Sequence, residues 1–180
     1  TVETLDVGVD GAQSTLDYSD ITYTNSGVTA TVDHASDSIE TGGGVDTITI
    51  GNLNFAGAIA TGGGVDVLSV THASADVEDA TTLTGLKTIT LAQDTNLAVT
   101  AVQLHALDAA DFSITGNAGG GLETVDVKTD GVQTTLDAGD ATYTNSGITI
   151  TADHVSDSIE TGSGVDTITI GNLNFAGAIA

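Results

Sequence analysis

The chain has no cysteine, proline, methionine or tryptophan. Without cysteine there is no disulfide, no thiolate zinc site and no cysteine nucleophile. Only 2 of its 180 residues are Lys or Arg, against 25 Asp and Glu, and the formal net charge is -23. Phosphate recognition needs Lys and Arg, so nucleic acid is excluded as a partner, and so is electrostatic attachment to anionic lipid. No run of about 18 apolar residues occurs, so membrane insertion by a spanning helix is not expected. Nor does the sequence open on a basic segment followed by an apolar one, the mark of a cleavable secretion signal. Aromatic residues are 3% of the total, which leaves any core to small aliphatic side chains. The missing prolines suit a protein made of strands, because proline removes a donor from a β-ladder.

High net charge with few aromatics is also the mark of disorder. Here 39% of the residues are hydrophobic, and Val, Ile, Leu and Ala alternate with Thr over long stretches, so a thin core can form. The dominant feature is repetition. Residues 1–60 align without a gap on 121–180, are identical at 45 of 60 positions, and share their last ten residues, GNLNFAGAIA, in full. The period is therefore 120 residues: 1–120 is one full repeat and 121–180 the first half of the next. A stretch that stops mid-period suggests a longer array. A shorter echo lies inside the long one. TGGGVDTIT at 41–49 returns as TGGGVDVLS at 61–69, and again as TGSGVDTIT at 161–169.

Segments such as ETLDV, DITYT, GVTATVD, VDTITI, VDVLSV, LKTITL, FSITG, ETVDVKT, ATYT and GITITAD are rich in Thr, Val and Ile and alternate with period 2 between Gly, Asn or Asp, which predicts strands. The segment 100–112 differs: Thr100 followed by Gln103 is a capping-box pattern, and Val102, Leu104 and Leu107 offer an apolar face. A short helix at about 101–110 is predicted. The echo at 20 residues favours coils of two short strands and two tight corners, stacked at about 4.8 Å. The expected fold is all-β, a parallel β-solenoid with one short α-helix per 120-residue repeat. Six such turns per repeat would rise ~29 Å. Tandem immunoglobulin-like sandwiches fit the segment lengths but not the echo.

The corners at 41–46 and 61–66 carry the chemistry. Their glycines let the backbone fold so that carbonyls converge, and Asp46, Asp66 and Asp166 close each loop with a carboxylate. Oxygen ligands without His or Cys suit a hard cation, and loose coordination suits Ca²⁺ over Mg²⁺. A plain turn in which Asp accepts a backbone N–H would explain one isolated corner. Two corners one coil apart in so acidic a chain favour calcium, with Asp46 and Asp66 as the principal pair.

TGGGVDTIT resembles the nonapeptide G-G-x-G-x-D-x-U-x of RTX proteins, where U is a large aliphatic. Gly42, Gly44, Asp46 and Ile48 fall on its second, fourth, sixth and eighth positions, as do Gly62, Gly64, Asp66 and Leu68, and Gly162, Gly164, Asp166 and Ile168. Thr41, Thr61 and Thr161 stand where the family prefers Gly. Nine residues upstream of two of these corners, Asp37-Ser38-Ile39 and Asp157-Ser158-Ile159 keep the Asp and the aliphatic but lack the glycines. The wider texture is similar to bacterial surface-layer proteins and giant RTX-type adhesins with degenerate repeats. That resemblance implies type I secretion with an uncleaved C-terminal signal, calcium-dependent folding, and an extracellular place at the bacterial cell surface.

No catalytic constellation is legible. His34, His72, His105 and His154 show no zinc spacing, and no nucleophile elbow or Walker loop occurs. His105 is expected on the polar side of the helix. Thr pairs at i, i+2 (Thr22/Thr24, Thr47/Thr49, Thr88/Thr90, Thr167/Thr169) would stack into ranks that resemble the ice-binding faces of some repeat proteins; β-favouring polar filler is the simpler reading. The expected function is non-enzymatic: a structural module that self-assembles through its repeats into a lattice or filament, stabilised by Ca²⁺. The alternative is a ligand-binding adhesin module for a glycan, a cell or ice.

Overall fold

The computed structural model describes residues 3–7, 15–17, 26–51, 54–107, 112–118, 123–129, 131–140, 142–171 and 174–180. Among them the chain is mostly parallel β-strand, with a single short helix. The largest sheet has seven strands, in the order β1 (Glu3–Val7), β3 (Ser26–Val32), β5 (Thr47–Ile50), β7 (Asp66–Val70), β10 (Leu86–Leu91), β12 (Ser113–Thr115) and β15 (Thr142–Thr144). A second sheet of five runs β18 (Thr167–Ile170), β16 (Ser146–Ala152), β13 (Glu123–Lys128), β11 (Asn96–Thr100) and β8 (Ser74–Asp76). A third has four strands, β2 (Thr15–Asp17), β4 (Ser38–Glu40), β6 (Ala58–Ala60) and β9 (Thr82–Thr84). The smallest has three, β14 (Thr135–Asp137), β17 (Ser158–Glu160) and β19 (Ala178–Ile179).

Successive strands along the chain pass from sheet to sheet, and each described strand pairs in parallel with strands distant in sequence rather than with its immediate successor. The alternation of Thr with aliphatics dictates the rest. On the inward face of the large sheet, Ala30, Ile48, Leu68, Ile89, Ile114 and Tyr143 stand in one rank, and all are buried. The five-stranded sheet supplies a matching rank, Ala75, Leu97, Val125 and Ile148. The three-residue strands give one aliphatic each, such as Ile39, Ile59 and Leu83. Burying each of the larger aliphatics contributes about 1.5–3 kcal/mol, so the core is a stack of thin layers, each completed by its neighbours.

Two expectations are corrected in detail. The expected 20-residue step holds for Thr47↔Val67, but the step is 18 residues for Thr29↔Thr47 and 29 for Ser113↔Thr142. Steps of 25 and 28 residues, Thr88↔Ser113 and Asn96↔Thr124, contain the helix α1 (Ala101–Leu107), which packs against β9, β11, β13 and β14. Because of them, 120 residues do not return the chain to the same sheet. β1, β3 and β5 lie in the seven-stranded sheet, whereas their sequence copies β13, β16 and β18 lie in the five-stranded one.

The helix itself starts as predicted. Thr100 N–H donates to Gln103 Oε1 at 2.9 Å, and Gln103 N–H donates to Thr100 Oγ1 at 3.1 Å, a complete capping box. Its buried face is Ala101, Leu104 and Leu107. Val102, expected on that face, is 77% exposed, because positions 101, 104 and 107 share one side at the three-residue spacing of a short helix. His105 is exposed, with Nδ1 3.2 Å from the Asp137 carbonyl. Positions 108–110 of the expected helix and the expected strand DITYT lie outside the described residues. No helix among the described residues is long and apolar enough to cross a membrane.

Candidate functional site

The corners before β5 and β7 stack on each other. Gly44 N–H donates to Gly63 O at 2.8 Å, and Val67 N–H to Asp46 O at 2.8 Å. Gly44, Gly64 and Gly164 have φ of 139°, 153° and 137°, a region open to glycine but costly for other residues. Space adds a second constraint: a Cβ on Gly64 would lie 1.5 Å from the Gly44 carbonyl oxygen. These glycines are therefore set by the close approach of one corner to the next. Gly42 is buried beneath Gly62, whose added Cβ would lie 2.2 Å from the Gly42 oxygen; Gly62 and Gly162 face solvent, the latter with φ 76°.

Asp46 and Asp66 lie in adjacent corners, joined through the backbone of one and the carboxylate of the other. The Asp46 backbone N–H donates to Asp66 Oδ1 at 2.8 Å, and Val28 N–H donates to Asp46 Oδ1 at 2.7 Å. Each carboxylate thus caps the backbone of the preceding coil. Both side chains are fully buried, and Asp46 Oδ2 and Asp66 Oδ2 have no hydrogen-bond partner. A buried, unpaired carboxylate oxygen is costly. Burial pushes the Asp66 carboxyl above the ordinary aspartate range. The hydrogen bond from Asp46 N–H opposes that rise, the Asp46 charge adds to it, and the Thr61 hydroxyl opposes it more weakly.

Asp166 repeats the arrangement, accepting from Ile148 N–H at 2.8 Å, but is only half-buried. It stands in a different sheet and is not gathered with Asp46 and Asp66. Asp37 and Asp157 occupy turns rather than the glycine corners. Asp157 accepts from Thr134 N–H at 2.9 Å and His154 N–H at 2.9 Å; Asp37 accepts from His34 N–H at 3.1 Å. Their carboxylates build the turns before β17 and β4. Among the described residues no group of three or more His, Cys, Asp or Glu is gathered closely enough to hold a metal by side chains alone. The unpartnered atoms at the corners, Asp46 Oδ2 and Asp66 Oδ2, are carboxylate oxygens, the donor type that suits a hard cation such as Ca²⁺.

Two features lie outside the corners, the first expected from the Thr pairs and the second not. The outward face of the large sheet carries a rank of hydroxyls across six strands: Thr31, Thr49, Ser69, Thr90, Thr115 and Thr144. The neighbouring rank, from Thr29 to Thr142, reads Thr, Thr, Val, Thr, Ser, Thr and is also uncharged. The i, i+2 pairs signalled these ranks; their mutual register was not readable. The second feature is an open cleft beside α1, of about 360 Å³, lined in part by Glu78, Val102, Lys128 and Gln133. Burial, with nearby Asp76, raises the Glu78 pKa above the ordinary range, while Lys128 is held by Asp126 at 2.6 Å.

Among protein-family models, curated proteins and solved structures, none matches the chain.

Proposed function

We propose that the chain is a non-enzymatic structural module, a parallel β-solenoid of an extracellular, calcium-stabilised surface layer or filament on a bacterial cell, assembling with itself through its repeats. The observation that carries this reading is the all-parallel pairing, in which each described strand is joined to a strand 18 to 29 residues away in the sequence. Such a chain grows by addition of like units, each needing the next to complete its core. That suits a rod or lattice better than a pocket.

Asp46 and Asp66 would hold the cation through their unpartnered Oδ2 atoms. Bound there, Ca²⁺ supplies the positive charge that two buried carboxylates otherwise lack. The chain's own residues do the rest: the Val28 and Asp46 amides fix the Oδ1 atoms, and the stacked glycines bring the two corners within reach. A cation that binds only the folded chain stabilises it by mass action, which ties order to the calcium of the outside medium. Electron microscopy of the purified chain is the test. Filaments or sheets in millimolar calcium that disperse in chelator support the reading; dispersed particles under both conditions overturn it.

A second reading rests on the hydroxyl ranks. A neutral, regular face in a chain of net charge -23 suits an adhesin module that binds ordered water or ice, or a neutral glycan. Ice-recrystallisation inhibition that disappears in Thr90→Lys, with the β spectrum retained, would favour it over self-assembly.

A further inference from the structure

We infer that the chain has a second cation site, at the start of the five-stranded sheet, built around Glu123. The rank next to the aliphatic layer Leu97–Val125–Ile148 is polar. Thr95, Glu123 and Ser146 occupy it, by the pairings Asn96↔Thr124 and Glu123↔Ser146 and the alternation of each strand. All three are buried, at 2%, 1% and 1% exposure. Ser146 is satisfied, its hydroxyl donating to Ile114 O at 3.1 Å. The Glu123 carboxylate accepts one long hydrogen bond, from Asp94 N–H to Oε1 at 3.3 Å, while its backbone N–H donates to Asn145 O at 3.4 Å. Glu123 Oε2 and Thr95 Oγ1 have no partner.

A carboxylate sealed at the end of an aliphatic core must be neutralised. The protein has 2 Lys and Arg in total, and Lys128, on the same strand, is engaged by Asp126. The surroundings of Glu123 Oε2 are oxygen-rich. The point where a Cβ of Gly116 would lie is 2.2 Å from the Asn145 carbonyl oxygen and 2.3 Å from Glu123 Oε2. With no side chain at position 116, both oxygens face the same small space. One carboxylate, one hydroxyl and a backbone carbonyl form a hard-ligand set, and its single charge places it at the weak end of calcium sites, with a Kd of about 10⁻³ M. The site shares no residue with the glycine-aspartate corners and follows from burial and register rather than from a motif.

The test uses calcium alone as probe, read as melting temperature in chelator and at 10-fold excess over that Kd, in an Asp46→Asn/Asp66→Asn chain so that the corner site is silent. That chain is expected to keep a calcium-dependent rise of roughly 3 °C. Adding Glu123→Gln removes the rise. Adding Thr95→Val, a same-shape change that deletes only the orphan hydroxyl, raises the melting temperature in chelator and shrinks the calcium-dependent rise. If Thr95→Val raises melting equally with and without calcium, the hydroxyl is only a buried polar group and the inference fails. It fails also if Glu123→Gln leaves the calcium response intact, for then no cation is held at Glu123. Loss of the response in the Asp46/Asp66 background alone assigns all calcium to the corners, which sinks this site and leaves the structural proposal standing.

Discussion

Residues 26–60 and 146–180 have nearly the same sequence and share capping and turn contacts among their described residues, yet have different surroundings. Val28 N–H caps on Asp46 as Ile148 N–H does on Asp166, at 2.7 and 2.8 Å. Ala56 N–H reaches Ala35 O at 2.7 Å, as Ala176 N–H reaches Val155 O at 2.8 Å. Burial does not follow. Ile50 is 0% exposed and Ile170 is 53% exposed. The reason is position across the sheet: β5 lies between β3 and β7, while β18 lies at an edge of the five-stranded sheet. Local sequence therefore builds the corner, and the neighbouring coil decides how much of it is buried.

The largest consequence is in the core. Ile50→Ala should lower stability by about 2–5 kcal/mol, and Ile170→Ala by less than about 1 kcal/mol, measured by urea unfolding. Equal losses would mean that the covering strand does not set the difference. The turns should instead behave alike in both copies. Asp37→Ala and Asp157→Ala each remove acceptors from backbone N–H groups and should cost about 1–3 kcal/mol apiece; a cost in one copy only would deny that the turn is a local device. The smallest effect is on pH dependence. The folded pKa of Asp66 lies above the ordinary value, so its contribution favours the folded state below the unfolded pKa and is lost as pH rises through the folded one. In chelator, acidification from pH 7 toward about 4 should therefore raise the melting temperature of the native chain more than that of Asp66→Asn. Parallel curves would show that Asp66 carries no such penalty.

Much of the architecture was legible because alternation and repetition are both written in the chain. Strands such as VDVLSV and LKTITL, the capping box at Thr100 and the 20-residue pairing of the two glycine corners all read directly. The short strands SIE, AIA and TLT did not, because three residues carry no alternation; their only trace is one aliphatic per coil, Ile39, Ile59 and Leu83. Nor could sequence predict that the second copy begins in another sheet, since that depends on how many residues α1 and its flanks consume. At the candidate site, Asp46 and Asp66 were legible as a pair and as acceptors of a backbone N–H, but not that the donors belong to the preceding coil, at Val28 and Asp46. Glu123 gave no signal at all: GLETVDV reads as an ordinary strand, and only its register beside Thr95 and Ser146 reveals a buried carboxylate.

The proposed calcium stabilisation rests on a cation held between two adjacent corners. A crystal grown in calcium, with diffraction recorded at a wavelength where calcium scatters anomalously, examines that point directly. An anomalous peak within coordination distance of both Asp46 Oδ2 and Asp66 Oδ2 is the predicted result. Well-ordered corners with no peak there, and the two carboxyl groups hydrogen-bonded to each other or to water, would contradict it.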